Sequence, residues 1–229
     1  MPVDRSRLPA PGPTPAFRFP HVDRGALPNG MRVWSVRHSS LPVATAMLLV
    51  RRGASDDPVG KEGLAALTTD MLDEGTGTQS AIEIHEVLAR IGTQLDSDIG
   101  PDATVLTLTA LSRFLGPALG LLADLVVRPS LREDDFARVR QLRLHRLMQL
   151  KDVPGAVADR AFMRLLYGSH PYGHTPLGNE ASLGSLRLED VQAHHRACFR
   201  PADTTLVVAG DCPPDVVMAL ATEAFGSWT

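Results

Sequence analysis

The sequence has little of what would assign it to several common classes of protein. Its two cysteines, Cys198 and Cys212, are too few for a disulfide framework or a zinc ribbon, and buried thiols are the expected state. No apolar run reaches the ~18 residues of a membrane-spanning helix. The net charge of −3 gives no electrostatic reason to expect nucleic acid as a partner. Glycine-rich dinucleotide and P-loop patterns are missing too. We therefore expect neither a nucleic-acid partner nor a membrane span.

The first residues also lack the apolar core of a signal peptide. Residues 1–20 are rich in proline and arginine, and proline disfavours both helices and central strands. We interpret residues 1–24 as a proline-rich N-terminal arm and residues 25–229 as a single domain. The compartment stays open between a bacterial periplasm and the cytoplasm.

Strand pairs interleaved with helices follow this arm. Alternating or buried apolar patterns predict strands over 31–37, 43–52, 93–98, 103–110 and 204–209. Helical spacing and capping residues predict helices over 60–76, 80–90, 112–127, 133–151, 154–167, 188–199 and 213–225. This order indicates an α+β fold, a two-layer sandwich of a mixed, antiparallel-rich sheet covered by helices.

The most informative stretch is residues 60–76, GKEGLAALTTDMLDEGT. Residues at helical spacing predict one face that packs on the core, namely Leu64, Leu67, Thr68, Met71 and Leu72. A second face carries Ala66, Thr69 and Asp70 at positions i, i+3 and i+4. That spacing suits a metal-binding pair, but these three side chains make a poor metal site.

The histidines form no pattern that is specific for a metal. His170 and His174 are four residues apart, but Pro171 and Gly173 place them in a loop, where helical spacing does not apply. A metal site built from histidines with Asp or Glu is left open. No Gly-x-Ser-x-Gly pattern marks a nucleophile. The basic face of helix 133–151 is either an anion site or a solvated surface.

Three blocks of the sequence resemble one peptidase family. The segment GLAALTTDMLDEGT resembles the GLAHFLEHMLFKGT-type helix of the inverted zincins, the pitrilysin/insulinase family M16, which includes the mitochondrial processing peptidases. The segment HPYGHTPLGNEASL resembles that family's HPYG block, and LPNGMRVWSVRHSSLPVATAMLLVRR resembles its first two strands. The blocks occur in the family's order and the resemblance extends from about residue 25 to residue 228.

The resemblance implies a zinc site whose ligands are missing. Active members carry His-x-x-Glu-His on this helix, and a downstream glutamate completes the site. Here the corresponding positions hold Ala66, Thr69 and Asp70, and the downstream position falls at or next to Arg146. These departures imply a catalytically inactive domain with no metal or cofactor of its own. We hypothesise that Arg146 forms an ion pair with Asp70 in place of the metal.

The family resemblance also implies partners. Members pair two such halves or two subunits as a clam shell, which implies that this chain is the N-terminal half of a longer two-domain subunit. Its partner would be a zinc-bearing M16 subunit or its own C-terminal domain, with zinc only in the partner. Together they would form a protease that degrades or processes peptides.

A substrate wall is implied at the edge of the sheet. In active relatives the peptide adds as a strand to an edge that corresponds to residues 92–98, which makes Leu95, Asp96 and Ser97 candidate substrate-binding residues. The alternative is a solvated edge protected by Asp96 and Asp98. Two other functions stay open: a divergent zinc metalloendopeptidase with ligands such as His145 or His170, and a structural assembly subunit.

Overall fold

The computed structural model describes residues 12–14 and 16–229. A six-stranded sheet has the order β1-β2-β6-β3-β5-β4. The strands are β1 Asp23–Ala26, β2 Arg32–Arg37, β3 Val43–Val50, β4 Asp96–Ile99, β5 Thr104–Leu111 and β6 Thr204–Gly210. Neighbouring strands are antiparallel except β2 and β6, which are parallel. The predicted α+β fold with a mixed, antiparallel-rich sheet is confirmed.

Eight α-helices accompany the sheet in the described residues. They are α1 Leu64–Asp70, α2 Ala81–Arg90, α3 Leu115–Val127, α4 Glu133–Leu150, α5 Pro154–Tyr167, α6 Glu180–Ser185, α7 Leu188–Cys198 and α8 Pro214–Phe225. Short 3-10 turns join several of them, including one at Ala54–Asp56 and one at Pro171–Gly173. In this part of the chain no helix combines the length and the apolar character needed to cross a bilayer.

The sheet buries one face, as the alternation along its central strands requires. On β3, Ala46 and Leu48 are fully buried, whereas the intervening Met47 is 37% exposed. The buried face packs on α3 and α8 and forms the main core. A second apolar cluster joins α1, α4 and α7, to which Leu67 contributes. Helix α1 therefore packs mainly on other helices, and it also contacts the edge strand β4.

The helix predicted over 60–76 is wrong in its extent. It begins only after Gly63, which has φ = +96°, and after Asp70 the chain continues as a 3-10 turn over Leu72–Glu74. The positive φ of Gly63 favours glycine at the helix start. The chain also meets the loop of Gly178 there, and a Cβ on Gly178 would lie 2.2 Å from the Glu62 carbonyl oxygen. The predicted core residues of α1 and the turn are nevertheless all buried, from Leu64 to Leu72.

Three further differences concern the ends of elements. Strand β1 was not predicted, and the proposed boundary between arm and domain, after residue 24, falls inside this strand. Residues 1–11 and 15 of the predicted arm lie outside the described residues. Ser112 does not cap α3, because a 3-10 turn over Ser112–Phe114 precedes that helix. The strand predicted over 93–98 is displaced to Asp96–Ile99, since Leu95 turns inward and packs against the core.

Candidate functional site

A cleft opens between α1, α4 and the edge strand β4. Its volume is about 650 Å³. The lining residues come from the motif helix and the turn after it, from β4, from one face of α4 and from the loop after the Pro171–Gly173 turn: Ala66, Asp70, Asp73, Glu74, Ser97, Asp98, Ile99, Val139, Leu142, Arg143, Arg146, Pro176 and Leu177. The second face of the motif helix, through Ala66 and Asp70, therefore lines this cleft.

The structure brings together only some of the predicted site residues. Ala66, Asp70, Arg146 and Ser97 all line the cleft. Thr69 is buried, and its hydroxyl donates to the Ala65 carbonyl oxygen at 2.9 Å, so it presents no free polar atom.

The other two candidate substrate residues lie elsewhere. Leu95 is partly buried against the core residues of α2 and α3. Asp96 lines a separate depression with Gly92, Thr93 and Gln94. Of the three residues predicted for the substrate wall, only Ser97 reaches the cleft, where the next two residues of β4, Asp98 and Ile99, also line it.

The predicted ion pair between Asp70 and Arg146 is wrong. Arg143 makes it instead, with its Nε donating to Asp70 Oδ2 at 2.7 Å, and the Arg143 side chain is only 12% exposed. Arg146 is exposed and has no carboxylate partner among the described residues. Positions 143 and 146 share the cleft face of α4, so spacing did not distinguish them. The way in which α4 packs on α1 places Arg143 level with Asp70.

The donor set on this face does not fit zinc. Ala66 has no ligating atom, the Thr69 hydroxyl is engaged by the backbone, and the Asp70 carboxylate is bound to a cation. No group of three or more metal-ligating side chains occurs within residues 12–14 and 16–229. The alternative ligands are also engaged otherwise: His145 contacts the Gln141 side chain, and His170 accepts the Tyr172 N–H.

The remaining carboxyl groups of the cleft lie in different surroundings. Burial, with the neighbouring Glu74 carboxylate, raises the pKa of Asp73 above its usual range. Glu74 itself forms an ion pair with Arg138, and Asp98 lies on the exposed edge strand. The cleft thus contains two satisfied ion pairs and two carboxyl groups without a cation.

Sequence reasoning missed the residues that hold the motif helix in place. The Asp57 carboxylate is fully buried and accepts the N–H groups of Gly63 and Ala65, each at 2.7 Å. His174 Nε2 lies 3.4 Å from the same carboxylate and 2.9 Å from the Ala54 carbonyl oxygen. The bond to Asp57 raises the pKa of His174. The available signal was an acidic residue ahead of a helix, but Asp57 lies six positions before Gly63, too far for an ordinary N-cap.

Neither cysteine offers a nucleophile. Burial raises the pKa of Cys198 to about 11, and burial also raises that of Cys212. Both thiols are buried, as expected. A raised pKa favours the protonated thiol, which is a weaker nucleophile than the thiolate.

Replacing Arg143 is expected to destabilise the domain more than replacing Arg146. Arg143→Gln leaves the Asp70 carboxylate without its partner and is expected to cost about 1–2 kcal/mol of unfolding free energy. Arg146→Gln removes the same charge from the same helix and is expected to cost less than about 0.5 kcal/mol. Urea unfolding monitored by circular dichroism measures both. A larger loss for Arg146→Gln would contradict the assignment.

The contribution of His174 to stability is expected to depend on pH. Its folded-state pKa is raised, so the stabilisation is complete below the ordinary histidine pKa of about 6.5 and is lost as pH rises through the folded value. The loss of unfolding free energy on His174→Gln is therefore expected to be larger at pH 5.5 than at pH 8.5. Urea unfolding at both pH values tests this.

The comparison of variants isolates His174 from its neighbours. Burial lowers the pKa of His194 and His195. Their contribution to stability therefore changes with pH in the opposite direction, but it is the same in wild type and variant. Glu62 also faces His174 but stays ionised throughout this range. The control is His145→Gln, an exposed histidine of α4, for which the same difference between the two pH values would count against the assignment.

Two family models match the chain in succession. Residues 32–179 match the insulinase family, peptidase family M16, and residues 185–229 match the peptidase M16 inactive domain. An uncharacterized zinc protease of Mycobacterium leprae is 27% identical over 212 residues, which is 93% of this chain and 48% of that protein. The zinc protease PqqE of Helicobacter pylori is 25% identical over 91% of this chain and 48% of its own length.

Solved structures agree with these matches. A peptidase M16 inactive domain from Pseudomonas fluorescens superimposes with a TM-score of 0.84 at 28% identity, over 89% of this chain and 50% of that one. A protease from Helicobacter pylori shares the fold, with a TM-score of 0.88 at 24% identity over 92% of this chain and 51% of that one. The chain spans about half the length of these relatives. Since the insulinase model alone matches most of it, the chain belongs to peptidase family M16.

Proposed function

We propose that this chain is a catalytically inactive M16 domain that helps to hold peptide in its cleft and pairs with a zinc-bearing M16 unit. The observation that carries the proposal is the replacement of the metal-binding face by an ion pair. Where active relatives would place ligands and a general base, this chain has Ala66, an internally bonded Thr69 and an Asp70 bound to Arg143. The cleft itself remains open.

Peptide is the ligand class that suits the cleft. It is bounded on one side by β4, which within residues 12–14 and 16–229 has a neighbouring strand only on its β5 side. An edge strand presents unpaired backbone N–H and C=O groups, to which an extended peptide adds as a further strand. Apolar side chains such as Leu142, which is 56% exposed, are available for contact with the peptide's side chains.

Pairing supplies what this domain lacks. Its relatives contain about twice its length, and M16 structures such as the one from Pseudomonas fluorescens contain further chain beyond the region it matches. In the proposed arrangement a second M16 unit bears the zinc and cleaves the peptide, and this domain closes the other side of the chamber as one half of a clam shell. The protein then needs no metal of its own.

The zinc content of the purified protein tests the inactive assignment. Protein prepared without chelators is expected to contain far less than one zinc per chain by plasma mass spectrometry. The variant Ala66→His/Asp70→His is expected to gain zinc, because two histidines one helical turn apart share the cleft face. One zinc per wild-type chain would overturn the proposal and favour a divergent metallopeptidase, the function suggested by the names of its curated relatives.

Peptide binding tests the role of the cleft. An unstructured fluorescein-labelled casein peptide is expected to bind measurably in fluorescence anisotropy. Leu142→Glu, which puts a charge into the cleft, is expected to weaken binding at least tenfold. Met148→Glu is the matched control, since Met148 lies on the same helix, is 49% exposed and does not line the cleft. Equal weakening by both variants, or no binding at all, would argue against peptide recognition there.

A further inference from the structure

Helix α5 is exposed to an unusual degree. None of its 14 residues is buried. Its half-buried residues, Ala156, Arg160 and Met163, follow one another at i, i+4 and i+7, so a single face lies against the rest of the domain. Its packing partner there is the 3-10 turn at Pro171–Gly173.

The opposite face of α5 is apolar and uncovered. It carries Ala158, Ala161, Phe162 and Leu165, of which Phe162 is 60% and Leu165 86% exposed. The small alanines between the two large side chains leave room for the side chains of another element to interdigitate. The charged residues of α5 lie on its flanks or toward the domain, so none interrupts this outer face.

An uncovered face of this kind has a physical cost. A helix of about 14 residues is marginal in water without tertiary packing, because nucleation is unfavourable. A contiguous apolar patch on a folded surface marks an interaction site. The outer face of α5 therefore has the properties of a surface that packs on another element. The described residues cover only the opposite, inner face of this helix.

The position of α5 indicates which partner covers it. It follows α4 by three residues, and α4 contributes Leu142, Arg143 and Arg146 to the cleft. At its other end it packs on the turn that leads to Pro176 and Leu177, which also line the cleft. Both ends of α5 are thus connected to segments that line the cleft.

We propose that the outer face of α5, built on Phe162 and Leu165, is the docking surface for the zinc-bearing M16 unit. The inference rests on the pairing put forward under the proposed function. In the relatives the matched region is accompanied by about as much chain again, so a second unit of comparable size is present in those polypeptides. The expected complement is an apolar surface of a second unit of the same fold, because the outer face of α5 carries no charge for an ionic partner.

A paired charge substitution tests the surface. The probe is the M16 protein of the source genome that carries an intact His-x-x-Glu-His motif, purified separately and titrated against this chain by biolayer interferometry. Wild type is expected to bind, and Phe162→Glu/Leu165→Glu is expected to bind at least tenfold more weakly. The control Ile82→Glu alters an apolar residue of α2 that is 72% exposed, and it is expected to bind like wild type.

The outcomes separate the surface from the pairing. Circular dichroism and urea unfolding establish that the variants are folded, which the exposure of both positions favours. Wild-type affinity in the double variant would refute the assignment of α5 as the docking surface and leave the proposed pairing intact. No binding by wild type would refute the pairing itself and the surface with it. Sedimentation of this chain alone as a dimer that the double substitution dissociates would assign the surface to a second copy and overturn the proposed partner.

Discussion

The position of the cleft depends on the buried carboxylate of Asp57. It accepts the N–H groups of Gly63 and Ala65, the donors that a helix start leaves unpaired, and it faces His174 from the loop after α5. A buried carboxylate is costly unless it is bonded in this way, so the three segments are held together. Ala66 follows directly and Asp70 one turn later, so the orientation of the helix face that carries them is set from this point.

The same region requires two glycines. Gly63 and Gly178 both have positive φ and approach each other so closely that a Cβ on either would meet the other's backbone at about 3 Å. The contact joins the motif helix to the loop that carries Pro176 and Leu177 into the cleft. Backbone packing of Gly63 on Gly178 therefore shapes this side of the cleft, whichever residues stand at positions 66, 69 and 70.

The ion pair of Asp70 and Arg143 links α1 to α4 across the cleft. In an active member a metal would bind ligands from two helices at this place, whereas here a carboxylate and a guanidinium do so. A guanidinium bonded to a carboxylate is a strong, directional contact when it is partly shielded from water. The chain thus matches M16 proteins in fold, while its described residues hold no group of three or more metal-ligating side chains.

Sequence reasoning predicted most elements and the core of α1, because local periodicity reports which side of a helix is buried, as it did for Leu64, Leu67 and Met71. It failed where an element depends on a distant neighbour. Strand β1 is four residues long and exists through its pairing with β2. The motif helix is shorter than predicted because Gly63 meets a loop more than a hundred residues away.

The sequence alone showed that the His-x-x-Glu-His ligand set is missing, since this depends only on the residue types at positions 66, 69 and 70. It also determined the family and the mixed sheet. The tertiary structure decided which arginine pairs with Asp70, which residue anchors α1 and which of residues 95–97 reaches the cleft. Helical spacing puts Arg143 and Arg146 on one face, and only the packing of α4 on α1 sets the distance from each to the carboxylate.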